Sequence, residues 1–182
     1  INTILADLGK TKEDLFQELD AQEPDTKAFM YGRVVNKHAR YNLCFSDEGQ
    51  EPDYQNKKGR IIAFKDIPLT NHIRNKLPEY FGDKAKDLQG EENYYYDVTK
   101  CGIGFHGDAE RRIVVGMRLG ASMPMHYQWF LRNKPIGSRV PLVFENGDIY
   151  LMSEKTTGCD WKRSSIPTLR HAAGCDKFTT IK

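Results

Sequence analysis

His106 and Asp108 stand two residues apart inside the run GIGFHGDAERRIVVGMRLG, residues 102 to 120. At the rim of a strand, side chains at i and i+2 project to the same face, so this pair makes a two-point ligand set. One more imidazole from a distant strand completes a two-histidine, one-carboxylate facial triad. That set suits non-haem Fe(II), because three protein ligands on one side leave three positions open for a chelating cosubstrate and O₂. The candidate is His171, in Thr168-Leu-Arg-His-Ala-Ala-Gly174, where the small residues beside it suit a crowded site. His126 competes, but strand alternation places it with Gln128 and Phe130, as a half-exposed position. His38 and His72 read as surface residues.

Three ligands from distant positions need a rigid scaffold. Thr11 to Asp20 carries a capping Thr, early acidic residues, and Leu15, Phe16 and Leu19 at helical spacing, which predicts an amphipathic helix. Ala28 to Val35, Tyr41 to Phe45 and Arg60 to Phe64 read as strands, with an acidic, then Asn/Lys-rich surface loop over 46–59. Ile67 to Leu77 reads as a second helix ending at Pro78. Six β-branched and aromatic runs follow: Glu92 to Tyr96, Ile113 to Leu119, Met125 to Leu131, Val140 to Phe144, Asp148 to Met152, and Thr168 to His171. Helices followed by short strands predict an α+β domain with a β-sandwich or double-stranded β-helix core.

The 182 residues suit one domain. With 27 basic and 25 acidic residues, no global polycation argument for nucleic acid exists, and such binding needs a local patch. Cys44, Cys101, Cys159 and Cys175 have no zinc-finger spacing and read as reduced thiols. No run reaches the ~20 apolar residues of a membrane span. The expectation is a monomeric, cytoplasmic or nuclear protein that makes no membrane contact. It begins at Ile1 without methionine, which leaves room for residues beyond it.

The order of motifs resembles the AlkB family of Fe(II)/2-oxoglutarate dioxygenases. The resemblance rests on Asn93-Tyr94-Tyr95, a turn through Gly102 and Gly104, His106-Gly-Asp108, Ile113 to Gly120, Gly147-Asp148-Ile-Tyr-Leu-Met152 and His171, and it covers about Ile67 to Gly174. It implies a single domain over 1–182, with an N-terminal helix and substrate lid over 1–66 and a catalytic jelly roll over 67–182. It also implies iron ligation by His106, Asp108 and His171, hydrogen bonds to 2-oxoglutarate from Asn93 and Tyr95, and O₂ as second cosubstrate. The intervals between Asn93 and His106 and between Met152 and His171 are longer than the family's.

A further departure is that no arginine follows His171 to clamp the cosubstrate's far carboxylate. A buried carboxylate needs a cation. Arg118 is favoured: it shares a strand face with Gly116, Val114 and Arg112, and its planar fork can take a carboxylate bidentately. Lys182 and Lys177 are runners-up, followed by Arg170 and Arg40.

For the substrate, Arg111, Arg112, Lys162 and Arg163 with Tyr41, Tyr54 and Trp161 suggest a phosphate-tracking rim with stacking platforms for a flipped base. Acidic residues in the 46–59 loop oppose that reading. The resemblance points to hydroxylation or oxidative demethylation of a modified nucleobase in DNA or RNA. The alternatives are hydroxylation of a protein side chain or small metabolite, or a non-catalytic jelly-roll binding module.

Overall fold

The computed structural model describes residues 1–181. The chain is mixed α+β, mostly sheet with few helices, and divides into two compact units at Tyr96/Asp97.

In the first unit, short helix α1 (Asn2–Leu5) precedes α2 (Lys12–Asp20). Thr11 and Asp14 close a capping box at the α2 start, satisfying two otherwise orphaned N–H groups, and Leu15 is buried. The single strand expected over 28–35 is instead a hairpin, β1 (Lys27–Met30) and β2 (Arg33–Asn36). Tyr31 and Gly32 both have positive φ, 55° and 77°, the left-handed pair that a two-residue hairpin turn requires.

β3 (Tyr41–Ser46) is the centre of a three-stranded sheet, parallel to β4 (Ile61–Ala63) and antiparallel to β5 (Gly90–Tyr94). Leu43, Phe45, Phe64 and Ile67 form its core. Helix α3 (Pro68–Phe81) buries Thr70, Ile73 and Leu77 and runs through Pro78 to Gly82 instead of stopping at the proline. Its first turn is held by Glu18, whose carboxylate accepts from the Leu69 and Thr70 N–H groups at 2.7 and 2.9 Å. Pro78 forgoes only its own N–H bond, and its carbonyl accepts from Gly82 at 2.9 Å. Asp25 pins the 46–60 loop. Its carboxylate accepts from the Tyr54 hydroxyl and the Arg60 N–H, both at 2.7 Å.

The second unit carries β6 (Gly102–His106), β7 (Val114–Met117), β8 (Met123–Leu131), β9 (Lys134–Phe144), β10 (Ile149–Met152) and β11 (Thr168–Gly174). Gly102 and Gly104, expected in a turn, lie within β6. One sheet has the order β6-β11-β8-β9 and a second pairs β7 with β10, all antiparallel. The pairs are therefore nested: β6 with β11, β7 with β10, β8 with β9. β8 and β9 join through Arg132-Asn133, again both at positive φ, 51° and 61°. Met123, Met125, Tyr127, Met152, Leu169 and Ala173 are buried in this unit. Short helices α4 (Glu154–Thr157) and α5 (Asp176–Thr179) flank β11. Among the described residues, no helix is long and apolar enough to cross a membrane.

Candidate metal centre

Opposite residues on paired antiparallel strands share a face. The register sets His171 of β11 against His106 of β6 on one side and Tyr127 of β8 on the other. Their rings converge, with centroids 4.4 Å apart for the two histidines and 5.9 Å for His171 and Tyr127. His126 falls opposite Ala172, one step along and so on the other face.

Asp108 lies two residues beyond His106, past the end of β6. Its N–H donates to the Thr157 carbonyl at 2.8 Å, which ties the loop to α4. Gly107 makes this possible. A Cβ there would stand 2.2 Å from the Gly158 carbonyl oxygen and 2.7 Å from the Trp161 side chain, so only glycine permits the crossing.

His106, Asp108 and His171 each offer one ligand atom, all within 4.8 Å of one another. The His106 Nδ1–H donates to the Gly104 carbonyl at 2.8 Å, and because a carbonyl only accepts, Nε2 of the neutral ring is left with its lone pair. That Nε2 lies 3.5 Å from Asp108 Oδ1, and His171 Nε2 lies 3.8 Å from Asp108 Oδ2. Both separations are too long for good hydrogen bonds. Donors bonded at about 2.1 Å to one cation stand roughly 3.0–3.5 Å apart, so the set is close to the size a metal ion requires. His171 Nδ1 is buried and has no well-formed hydrogen bond among the described residues.

The electrostatics give a neutral His171 beside an anionic Asp108. Burial, then the neighbouring His106, push His171 down to about 4, outweighing the opposing pull of Asp108. Burial alone would raise Asp108, but the His106 contact, Arg111 and His171 overcome it and hold the carboxyl below its ordinary value. Burial raises Tyr127 and Tyr150, and both also feel the Asp108 charge, which sets two phenols around the centre. Sequence reasoning missed these tyrosines. A signal for Tyr150 existed in Gly116, its cross-strand partner, where a Cβ would sit 2.1 Å from the Tyr150 ring.

The other expected residues fall as follows. Arg118 follows β7, its backbone paired with Asp148 and Gly147, and its cation lowers the Tyr150 phenol against burial. Arg111 turns back onto the Asp108 carboxylate, 3.7 Å from Oδ2, with Glu110 at 3.6 Å. Arg112 pairs with Glu154 at 3.6 Å. Trp161 packs on Gly107 and lies under the Arg170 guanidinium, 5.3 Å from its ring centroid.

Asn93, Tyr95 and Tyr41 belong to the first unit. There the Asn93 side-chain oxygen already accepts from Arg40 at 2.6 Å and Asn42 at 3.0 Å, and Tyr41 stacks on Tyr96 at 4.5 Å. Of the runners-up, Lys177 lies over the Phe178 ring, and Lys182 lies outside the described residues. His72, expected at the surface, contacts Asp7 and the Ile4 carbonyl and is 20% exposed.

No family model matches the sequence. An uncharacterized protein of Acanthamoeba polyphaga mimivirus is 56% identical over 171 residues, covering 94% of this chain and 67% of that protein.

Proposed function

The chain belongs to the family of that mimivirus protein, and from its own side chains we propose that it is an AlkB-like, Fe(II)- and 2-oxoglutarate-dependent dioxygenase. The observation that carries this reading is the convergence of His106, Asp108 and His171 on one point, with both Nε2 atoms facing the carboxylate. The nested strand pairing supports a jelly-roll core, since a folded antiparallel ribbon pairs its first strand with its last and its middle strands with each other.

His106, Asp108 and His171 would hold the iron. Bound Fe(II) with 2-oxoglutarate and O₂ would supply oxidation of a substrate C–H bond to C–OH, the cosubstrate leaving as succinate and CO₂. The Gly104 carbonyl orients the His106 ring, and burial keeps His171 neutral, so His171 need not shed a proton to coordinate. Arg111 stands 3.7 Å from Asp108 Oδ2, the oxygen that also faces His171, and braces the carboxylate there. Arg118, with the Tyr150 phenol beside it, would take the 5-carboxylate of 2-oxoglutarate. Tyr127, buried and packed against His171, keeps water from that ring.

The substrate class this reading favours is a modified nucleobase in DNA or RNA, oxidised at an N-alkyl or ring-substituent carbon. Its support is a cavity of about 540 Å³ lined by Arg112, Lys155, Lys162 and Arg163 with Glu154 and Asp160, beside Trp161. Lys162 stands over the Trp161 ring, an arrangement suited to stacking next to a phosphate. The test is succinate formation screened against methylated oligonucleotides, nucleosides, peptides and amino acids. Stimulation by a methylated oligonucleotide, lost in a Lys162→Glu, Arg163→Glu variant that keeps substrate-free 2-oxoglutarate turnover, is expected. Stimulation by peptides or amino acids instead would overturn the nucleobase assignment, and no succinate from any mixture would overturn the enzyme.

A further inference from the structure

β6 is an outer strand of its sheet and meets β11 in a short ladder: His171 with His106, Ala173 with Ile103, Gly174 with Gly102, with an irregularity after the first pair. That ladder sets His171 opposite His106. Carried one residue further, the register brings Cys175 opposite Cys101, and the Cys175 N–H donates to the Cys101 carbonyl at 3.1 Å. Opposed residues on antiparallel strands have Cα atoms about 4.5–5.5 Å apart, within the roughly 4.4–6.8 Å that a disulfide spans. Both residues are free thiols, Cys101 fully buried and Cys175 half-buried. Gly102 and Gly174 let the two backbones close on each other here, since a Cβ at Gly174 would stand 2.4 Å from the Cys101 carbonyl oxygen and from Gly102 Cα. The remaining cysteines have other surroundings: Cys44 is on β3 in the first unit, and Cys159 donates to the Glu154 carboxylate at 3.7 Å.

We infer that Cys101 and Cys175 form a reversible disulfide that staples β6 to β11 and fixes the spacing of His106 and His171. The oxidant is a small disulfide of the glutathione class. The accessible Cys175 thiolate attacks one sulfur, a protein–glutathione disulfide forms, and the first glutathione leaves as a thiol. The Cys101 sulfur then attacks Cys175 Sγ, the internal S–S bond forms, and the second glutathione leaves. Two protein thiols are oxidised, one glutathione disulfide is reduced, and the two thiol protons end on the two glutathiones. An irregular ladder at a sheet edge opens more readily than a central one, so the staple acts where the metal ligands are least restrained. This consequence for the ligands rests on the metal reading; the cross-link does not.

The test equilibrates the full chain in glutathione buffers of rising disulfide fraction. Intact mass, peptide mapping, thermal melting and Mn(II) binding are then read on the reduced and oxidised forms. Expected are a loss of two hydrogens, a peptide joining 101 to 175, a melting midpoint higher by about 5 °C or more, and several-fold tighter Mn(II) binding, all reversed by dithiothreitol and absent from Cys175→Ser. Only mixed glutathione adducts, with 101 and 175 unlinked in folded protein, would overturn the proposal. A cross-link without a change in Mn(II) affinity would overturn its effect on the ligands. Failure of both forms to bind Mn(II) would overturn the metal reading and that effect together, while the mass still decides the cross-link.

Discussion

Acidification of the metal-free protein probes the centre without any substrate. His171 sits at about 4 in the folded chain, against about 6.5 for an exposed imidazole, because burial and then His106 disfavour its charged form. The unfolded chain therefore binds more protons than the folded one between those two values. Stability is full above about pH 6.5 and is lost as pH falls towards 4. At about 1.4 kcal/mol per pH unit, that interval is worth about 3 kcal/mol. Asp108, also held below its ordinary value, adds loss in the same direction at lower pH. The assay is an NMR titration of the histidine ring protons in the presence of a chelator, alongside denaturant melts of the full chain from pH 7 to 4. His171 should titrate last, and a His171→Leu variant should lose most of the slope above pH 4. A His171 ring titrating near 6.5 would refute the reasoning, because it would mean the imidazole is solvated and not packed against its neighbours.

Other perturbations separate the parts. Gly107→Ala forces a Cβ into the Gly158 carbonyl, so it should cost about 1–3 kcal/mol and weaken metal binding by an order of magnitude or more, read by melting and Mn(II) titration. Arg118→Ala should leave Mn(II) affinity near wild type while raising the 2-oxoglutarate concentration needed for turnover about tenfold or more. In the first unit, Asp25→Ala should cost about 2–4 kcal/mol, since it strands the Tyr54 hydroxyl and Arg60 N–H, and Asp25→Asn should cost less. Burial, reinforced by Asp20, raises Glu92 to about 7. This carboxyl stabilises the fold below about pH 4.5 and loses that contribution as pH rises through 7, a trend opposite to that of His171 that Glu92→Gln should abolish in pH-dependent melts.

The periodic elements were legible. The capping box at Thr11, the α3 face of Ile73 and Leu77, and the β-branched runs in the second half all form where their residue pattern puts them. The meeting of His106, Asp108 and His171 was legible too, because i and i+2 spacing survives folding and a lone histidine among small residues marks a close approach. What escaped was set by the third dimension. Tyr127 and Tyr150 reach the centre through cross-strand register, which no local pattern reports. Arg111 reads as a phosphate cation in sequence, yet it folds back on Asp108, a nearer anion. The hairpin at Tyr31-Gly32 was hidden because a tyrosine rarely occupies the left-handed region. α3 outlasts Pro78 because the rest of its last turn, ending at Gly82, keeps its own bonds.

The most direct test of the metal centre is anaerobic addition of Fe(II) and 2-oxoglutarate while visible absorbance is recorded. A weak charge-transfer band in the intact protein, absent from His106→Ala and Asp108→Ala, is the expected result. A folded intact protein that gives no band would contradict the assignment of His106, Asp108 and His171 as ligands to one iron.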